Sequence, residues 1–252
     1  MDLRGRTAVV VGTRRIGREI ALRLAHVGMH VGVIYRSSRD EANSLAIDVQ
    51  ALGQRSIAVQ SLLSSDAEVS KALDGVEAAC GPVSCLINLA SDYERTPFAE
   101  LNAESWDSGM LAARVNYLLA IHVSRRMKQL SGPTRGHILQ FGDWASGETP
   151  YKNYLPYLTA KAAIQFMTRA LAVELAGDGI LVNTIAPGPT VRPPDISEEI
   201  WASQVVARTP LRRESSVDDI VELAVTLLRS DTITGEVIRV DSGRHVAPAG
   251  LD

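Results

Sequence analysis

Short apolar segments and longer amphipathic segments alternate along the whole chain. The apolar segments are rich in Val, Ile and Leu and are bounded by turn residues, which is typical of strands covered on both faces. This pattern predicts strands at Thr7–Val11, His30–Tyr35, Ser56–Gln60, Ser84–Asn88, His137–Phe141, Leu181–Ile185 and Val237–Val240. Helical periodicity predicts helices at Ile16–Val27, Arg39–Leu52, Asp66–Ala79, Trp106–Leu130, Tyr154–Ala176, Ser197–Ala207 and Val217–Leu228. The alternation predicts an α/β fold, a doubly wound parallel sheet with helices on both faces.

Nothing in the sequence divides this pattern into two domains. The chain has 252 residues, which is within the size of one large α/β domain, and 46% of them are hydrophobic. It contains no internal repeat and no linker rich in Pro, Gly or Ser. The densest proline cluster, Pro187–Pro194, is interpreted as part of an active-site loop. We therefore expect a single domain over residues 1–252, with a substrate loop around 188–210.

Charge and hydropathy exclude several classes of function. The chain has 26 basic and 29 acidic residues, so its net charge of -3 lacks the basic excess of a nucleic-acid-binding surface. Its only apolar run near the N-terminus, Thr7–Val11, is too short for a signal sequence or a membrane span. The five histidines show no metal-ligand spacing. We expect a cytoplasmic protein that acts on a small-molecule substrate, without a metal, a nucleic acid or a membrane.

A glycine-containing turn follows the first predicted strand and leads directly into the first predicted helix. Gly12 and Gly17 enclose it, with Arg14, Arg15 and Ile16 between them. Glycines let the backbone approach a phosphate, and the N–H groups at a helix start attract an anion. The spacing predicts a site for the pyrophosphate of a dinucleotide, and a plain turn between strand and helix is the alternative.

The residues after the second predicted strand indicate which dinucleotide binds. A carboxylate here would hold the free 2'-hydroxyl of the adenosine ribose, whereas a cation would hold a 2'-phosphate. The segment Tyr35-Arg36-Ser37 contains no acid, and its arginine and serine suit charge-assisted bonds with a phosphate. Arg14 and Arg15 add positive charge nearby. This pattern predicts NADP(H), and a solvated basic loop is the alternative.

Tyr157 and Lys161 are the candidate catalytic pair. They lie four residues apart in a predicted helix, so their side chains share one face. An ammonium close to a phenol favours the phenolate, so Lys161 is expected to lower the pKa of Tyr157 and ease proton transfer to a nascent alkoxide. The pair is interpreted as an acid catalyst, and an ordinary helix surface is the alternative.

Taken in order, these motifs resemble those of the classical short-chain dehydrogenase/reductase family over nearly the whole chain. The family's glycine turn matches Gly12–Gly17, its Asn-Asn-Ala-Gly motif matches Asn88-Leu-Ala-Ser91, and its helix asparagine matches Asn116. Its Tyr-x-x-x-Lys motif matches Tyr157 with Lys161, its Asn followed by Pro-Gly matches Asn183 with Pro187-Gly188, and its Asp-Gly-Gly matches Asp241-Ser-Gly243. The resemblance implies a single-domain Rossmann fold and hydride transfer. It also implies a homotetramer built through paired helices, those predicted to end at Leu130 and Ala176.

The same resemblance implies a role for each matched residue. Tyr157 supplies a proton, Lys161 orients the cofactor ribose, and Asn116 holds a water that relays protons. Thr190 contacts the nicotinamide carboxamide. The expected cofactor contacts are Gly12, Arg14, Arg15, Ile16, Gly17, Tyr35, Arg36, Ser37, Asn88, Ala90, Lys161, Pro187, Gly188 and Thr190.

Within the family, several segments are similar to pteridine reductases. The similar segments are Arg15-Ile-Gly17, Tyr35-Arg-Ser37 and Asn88–Pro97. The aromatic residue that stacks on the pterin in that group matches Tyr93, and their catalytic Asp, used where the wider family has Ser, matches Asp143. Trp201, in the substrate loop, is expected to cover the ligand, and packing of that loop on the body is the alternative. The residues expected at the substrate are Ser91, Tyr93 and Trp201.

The spacing before Tyr157 leaves the family's Ser position open. Asp143 precedes Tyr157 by 14 residues, which is one residue more than the family's usual separation. Trp144 and Ser146 are therefore rival matches. Ser146 would supply the catalytic hydroxyl if the loop folds back toward Tyr157.

Other departures from the family pattern keep other functions open. The glycine turn is one residue shorter than usual, Leu89 replaces the second Asn, and Leu62 replaces the Asp that contacts adenine. A cofactor-binding sensor without turnover would tolerate such losses. A 3-oxoacyl-thioester reductase or another carbonyl reductase would use Tyr157 and Lys161 on a different substrate. We expect an NADPH-dependent reductase of a C=N or C=O group, with a pteridine as the substrate, and these two functions are the alternatives.

Overall fold

All seven predicted strands are present in the computed structural model, which describes residues 1–192 and 196–247. Pro193, Pro194 and Asp195 of the predicted substrate loop lie outside the described residues. The strands form one parallel sheet in the order β3-β2-β1-β4-β5-β6-β7. They are β1 Thr7–Val11, β2 His30–Tyr35, β3 Ser56–Gln60, β4 Val83–Asn88, β5 Gly136–Phe141, β6 Ile180–Pro187 and β7 Val237–Val240.

The helices begin and end close to their predicted positions in most cases. They are α1 Ile16–His26, α2 Arg39–Ala51, α3 Asp66–Cys80, α4 Ala103–Met127, α5 Leu155–Leu175, α6 Glu198–Ile200 and α7 Val217–Arg229. Apart from α6, the largest shift is in α4, which begins three residues before the predicted Trp106 and ends three residues before the predicted Leu130. Asn102 caps it, because its side chain accepts from the Ser105 N–H while the Ser105 hydroxyl accepts from the Asn102 N–H.

The predicted continuous helix at Ser197–Ala207 is wrong. Helix α6 spans only three residues and passes into π-helical backbone at Trp201–Val205 and a 3-10 turn at Val206–Arg208. The buried Trp201 side chain is anchored by its indole N–H to Glu214, and the Ser203 hydroxyl donates to the carbonyl of Glu199 over 2.7 Å. Such side-chain bonds compete with a regular helix, so tertiary packing overrides the helical periodicity here.

The hydrophobic core lies on both faces of the sheet. Successive side chains of β1 point to opposite faces, so Val10 packs with the helices on one side and Val9 with those on the other. One face is covered by α1, α2 and α7, and the other by α3, α4 and α5. The single doubly wound α/β domain predicted from the sequence is therefore confirmed.

The order of the strands places a crevice at the carboxyl ends of β1 and β4. The chain proceeds outward from β1 to β2 and β3, then returns to place β4 on the other side of β1, with Val11 paired to Asn88. Open parallel sheets bind ligands where the strand order reverses, because the connecting loops diverge there. No helix in the described ranges is long and apolar enough to cross a lipid bilayer.

Candidate active site

A cavity of about 1360 Å³ opens at this crevice. Three of the predicted residues do not line it: Gly17, Asn88 and Asn116 are buried close to its wall. The predicted residues that do line it are Gly12, Arg14, Arg15, Ile16, Tyr35, Arg36, Ser37, Ala90, Ser91, Tyr93, Asp143, Tyr157, Lys161, Pro187, Gly188, Thr190 and Trp201. The fold thus brings most of the predicted cofactor residues, and all three predicted substrate residues, to one cavity.

The glycine turn requires its two glycines for steric reasons. Gly12 has a φ of +95°, and a Cβ added to Gly17 would lie 1.9 Å from the carbonyl oxygen of Gly12. Arg15, which precedes α1, also has a positive φ of 51°, and no side chain caps the helix start. The first N–H groups of α1 bond to the carbonyls of Arg14 and Arg15, and the turn before the helix lines the cavity, so the positive end of the helix faces the place where an anion would bind. A dinucleotide pyrophosphate fits this turn.

Tyr157 contacts Asp143, and not Ser146. The Tyr157 hydroxyl donates to Oδ2 of Asp143 over 2.9 Å, and Oδ1 of the same carboxyl accepts from the Ala145 N–H over 2.8 Å. Ser146 turns its hydroxyl to the backbone carbonyl of Asp143, and the Trp144 ring lies near Tyr151 instead. Asp143 is therefore the acid placed beside the phenol.

The electrostatics of Tyr157 differ from the sequence expectation. Burial, with the adjoining Asp143 as a second cause, raises the pKa of Tyr157 well above its ordinary value. The prediction that Lys161 lowers this pKa is wrong in this structure. Lys161 donates to the carbonyl oxygen of Phe141 over 2.8 Å and lies 5.8 Å from the Tyr157 ring centroid, whereas the carboxyl group bonds to the phenol directly.

Burial also shifts the two charged neighbours of Tyr157. It raises the pKa of Asp143, although the hydrogen bonds from Ala145 and Tyr157 oppose the change. It lowers the pKa of Lys161 to about 8, against the attraction of the Asp143 carboxylate. Both shifts favour the neutral form of the group, as burial does in general.

A cluster of tyrosines surrounds the hydroxyl of Tyr157. The Tyr93 ring stacks on Tyr154 with centroids 4.5 Å apart and meets the ring of Tyr157 edge-on at 5.0 Å. Tyr151 lies edge-on to Tyr154 at 5.1 Å and also lines the cavity. One face of Tyr93 is thus covered by a protein side chain. Tyr151 thus packs against neighbouring rings and also lines the cavity.

The comparisons with known proteins agree with this geometry. A family model described as enoyl-(acyl carrier protein) reductase matches residues 10–245. A short-chain type dehydrogenase/reductase of Picea abies is 30% identical over 257 residues, covering 96% of this chain and 93% of the relative. The chain belongs to the short-chain dehydrogenase/reductase family. The family resemblance predicted from the sequence is confirmed, and the protein is an oxidoreductase of that type.

Two further relatives of this short-chain dehydrogenase/reductase differ in the activity that they are named for. A 3-oxoacyl-acyl-carrier-protein reductase of Staphylococcus epidermidis is 30% identical over 250 residues, covering 96% of this chain and 99% of the relative. The crystal structure of an alternative dihydrofolate reductase from Brucella canis, complexed with NADP, has a TM-score of 0.90 at 27% identity. It covers all of this chain and 98% of its own.

Sequence reasoning missed an acid beside Arg36 in this short-chain dehydrogenase/reductase. The segment Arg36–Ser38 directly after β2 contains no acid. Both terminal nitrogens of Arg36 nevertheless donate to the carboxylate of Asp92, which comes from the segment after β4. Arg14 is also paired, with Glu41 at 3.2 Å. Arg15 lines the cavity and has no ion pair within the part of the chain that the structure describes. No local signal in the sequence connects Arg36 with a residue 56 positions away.

Two buried asparagines of the family motifs have unpaired polar atoms. Nδ2 of Asn88 and Oδ1 of Asn116 find no hydrogen-bond partner among the described residues. The other amide atom of each side chain is bonded, to the Ala90 N–H and to the Ala112 carbonyl respectively. An unpaired polar atom in a protein interior is costly, so each of them indicates a water or ligand as a partner. This is compatible with the predicted contact of Asn88 with the cofactor and of Asn116 with a water.

The remaining predicted contacts lie at the far wall of the cavity. A Cβ on Gly188 would lie 2.5 Å from the Cβ of Asp241, so the Pro-Gly turn packs closely against the end of β7. The Thr190 hydroxyl donates to the Gly188 carbonyl over 2.9 Å. Trp201 lines the cavity and is also buried against the body, so the two interpretations of this residue are compatible. No group of three or more His, Cys, Asp or Glu that would hold a metal occurs among residues 1–192 and 196–247.

Proposed function

We propose that this protein is an NADPH-dependent reductase that transfers hydride to a C=N or C=O carbon of a small planar substrate, a pteridine. The observation that carries the proposal is the hydrogen bond from Tyr157 to Asp143 inside the cavity that also holds the glycine turn. A carboxyl group bonded to the catalytic phenol gives the site a second group that can hold a proton. A pteridine presents several ring nitrogens that can bond to such a carboxyl group, whereas a simple ketone presents only its oxygen, which the phenol can protonate alone.

NADP(H) is supported as the cofactor by the Brucella relative, whose structure contains NADP. The uncapped start of α1, the close-packed Gly12 and Gly17, and the unpaired Nδ2 of Asn88 fit a dinucleotide. Arg15 and Arg36 line the cavity and supply positive charge for a 2'-phosphate. When bound, NADPH supplies the hydride.

The chain's own residues supply the proton and hold the reactants. The raised pKa of Tyr157 keeps the phenol protonated at neutral pH, so it is ready to donate to an alkoxide oxygen or ring nitrogen as the C=O or C=N bond accepts hydride. Asp143 then returns a proton to Tyr157 through their hydrogen bond, or protonates the ring itself. Lys161, fixed by the Phe141 carbonyl, orients the cofactor ribose, and Asn116 holds the water that connects the site to solvent.

Aromatic side chains line part of the cavity. Tyr93, Tyr151 and Trp201 are among its lining residues, together with Ser91. Aromatic pairs gain about 0.5 to 1.5 kcal/mol beyond the burial of their area, so these walls favour a planar ring over a flexible chain. We assign Ser91, Tyr93 and Trp201 to substrate binding.

A 3-oxoacyl-thioester reductase is the second candidate. The Staphylococcus epidermidis reductase of that name and the Picea abies dehydrogenase/reductase have the same sequence identity to this chain, 30%. A ketone substrate would use Tyr157, Lys161 and Asn116 and would leave Asp143 as a positioning residue. A sensor without turnover is disfavoured, because the hydroxyl of Tyr157 and the ammonium of Lys161 are both in the cavity.

Oxidation of NADPH with a panel of substrates tests the proposed function. We expect dihydrobiopterin or dihydrofolate to be reduced, with NADPH preferred over NADH. Turnover of a 3-oxoacyl thioester, with neither pterin reduced or bound, would replace the pteridine assignment by the carbonyl-reductase candidate. Binding of NADPH with no oxidation by any substrate would favour the sensor.

A homotetramer is a further part of this proposal. Large apolar side chains are exposed on the outer surfaces of α4 and α5, namely Trp106, Tyr117, Phe166 and Val173. Exposed apolar patches on paired helices are typical of contacts between identical subunits. Light scattering at micromolar concentration should show a tetramer, and a monomer would contradict the assignment.

A further inference from the structure

Asp92 forms an ion pair with Arg36, and so engages the guanidinium that would bind the 2'-phosphate. Nη1 of Arg36 donates to Oδ2 of Asp92 over 2.9 Å, and Nη2 donates to Oδ1 over 2.8 Å. Both residues line the cavity, and the side chains are 52% and 49% exposed. A guanidinium binds a phosphate with the same two-pronged geometry. A 2'-phosphate that binds Arg36 must therefore compete with the carboxylate of Asp92, which already bonds to the same two nitrogens.

We propose that Asp92 is a specificity-determining residue that competes with the 2'-phosphate for Arg36 and so weakens the preference for NADPH over NADH. The inference rests on the proposed function, because it requires the adenosine end of the cofactor to lie at Arg36. It adds a residue that the family motifs do not include and that lies next to Tyr93 in the sequence.

The charges of the two cofactors explain why Asp92 discriminates between them. A phosphate monoester carries a charge of about -1.5 to -2 at pH 7, so a carboxylate on the same guanidinium repels it. The 2'-hydroxyl of NADH is neutral and donates a hydrogen bond to a carboxylate. Asp92 thus disfavours NADPH and leaves NADH unhindered.

The exposure of the pair decides the size of the effect. An ion pair that is half exposed is weak and is screened by salt, so a phosphate can displace the carboxylate without great loss. Removing the charge of Asp92 should therefore tighten NADPH binding by about three- to tenfold at low ionic strength, with a smaller change at high salt.

The dissociation constants of NADPH and NADH, measured by calorimetry on the Asp92→Asn protein, test the inference. We expect the Kd of NADPH to fall by that factor and the Kd of NADH to stay the same or rise. Glu94→Gln is the matched control, because Glu94 is an exposed acid in the same segment that does not line this cavity, and it should change neither constant. Arg36→Ala should act in the opposite direction and weaken NADPH by about tenfold or more, since a charge-assisted bond is lost.

The possible failures point to different errors. Weaker NADPH binding in Asp92→Asn would show that Asp92 orients Arg36 for the phosphate, and it would overturn the competition. Equal changes for both cofactors would assign Asp92 a structural role and would also overturn it. If the unmodified protein binds no NADPH, the proposed function fails, and this is recognisable before any variant is made.

Discussion

Replacing Tyr157 with phenylalanine should lower the rate of reduction by about 10² or more, which is the usual contribution of a positioned acid. The substitution removes only the hydroxyl that bonds to Asp143 and keeps the ring that meets Tyr93 edge-on. The cavity and the glycine turn are unchanged, so binding of NADPH should survive. Steady-state kcat with the best substrate, together with the Kd of NADPH, measures both effects.

Tyr154→Phe is the control for this experiment. It also removes one phenol hydroxyl from the tyrosine cluster, and its ring stacks on Tyr93 at 4.5 Å, but no hydrogen bond joins it to Asp143 in the described part of the chain. We expect kcat of this variant to stay within a few-fold of the unmodified protein, by the general tolerance of sites away from the proton transfer. If Tyr157→Phe retains full turnover, the acid is Asp143 and not the phenol.

The second large effect is expected from Asp143→Asn, and it should depend on the substrate. The amide cannot supply or return a proton, so reduction of a pterin should fall by about 10². Reduction of a simple ketone should be affected less, because Tyr157 protonates the oxygen directly. The ratio of kcat/KM for dihydrobiopterin to that for a ketone measures the difference.

The pH dependence of the same variant separates a proton donor from a positioning residue. Burial raises the pKa of Asp143, so its protonated form persists to a higher pH than that of an exposed carboxyl. If this form donates, the pterin rate is high below that pKa and falls as pH rises through it. The fall should be absent in Asp143→Asn. Equal losses with both substrates at every pH would show that Asp143 only orients Tyr157.

Local patterns in the sequence were sufficient for the fold and for the family. Apolar runs and helical periodicity depend on neighbouring residues, so the seven strands and the α/β class could be predicted directly. The spacing of Tyr157 and Lys161 on one helix, and the two glycines around the first turn, are local in the same sense. These features brought the predicted residues to one cavity because parallel strands present their carboxyl ends at the same edge.

Only the tertiary structure decided which side chains meet inside that cavity. Asp92 reaches Arg36 across 56 residues, and Asp143 meets Tyr157 only because of the path of the turn between them. The direction of the Tyr157 pKa shift followed first from the burial of the phenol and second from the adjoining Asp143, and both depend on the tertiary structure. Trp201 likewise broke a predicted helix through a contact with Glu214. The sequence motifs identify the catalytic and binding side chains, whereas the charges and hydrogen bonds of those side chains depend on loops that join distant parts of the chain.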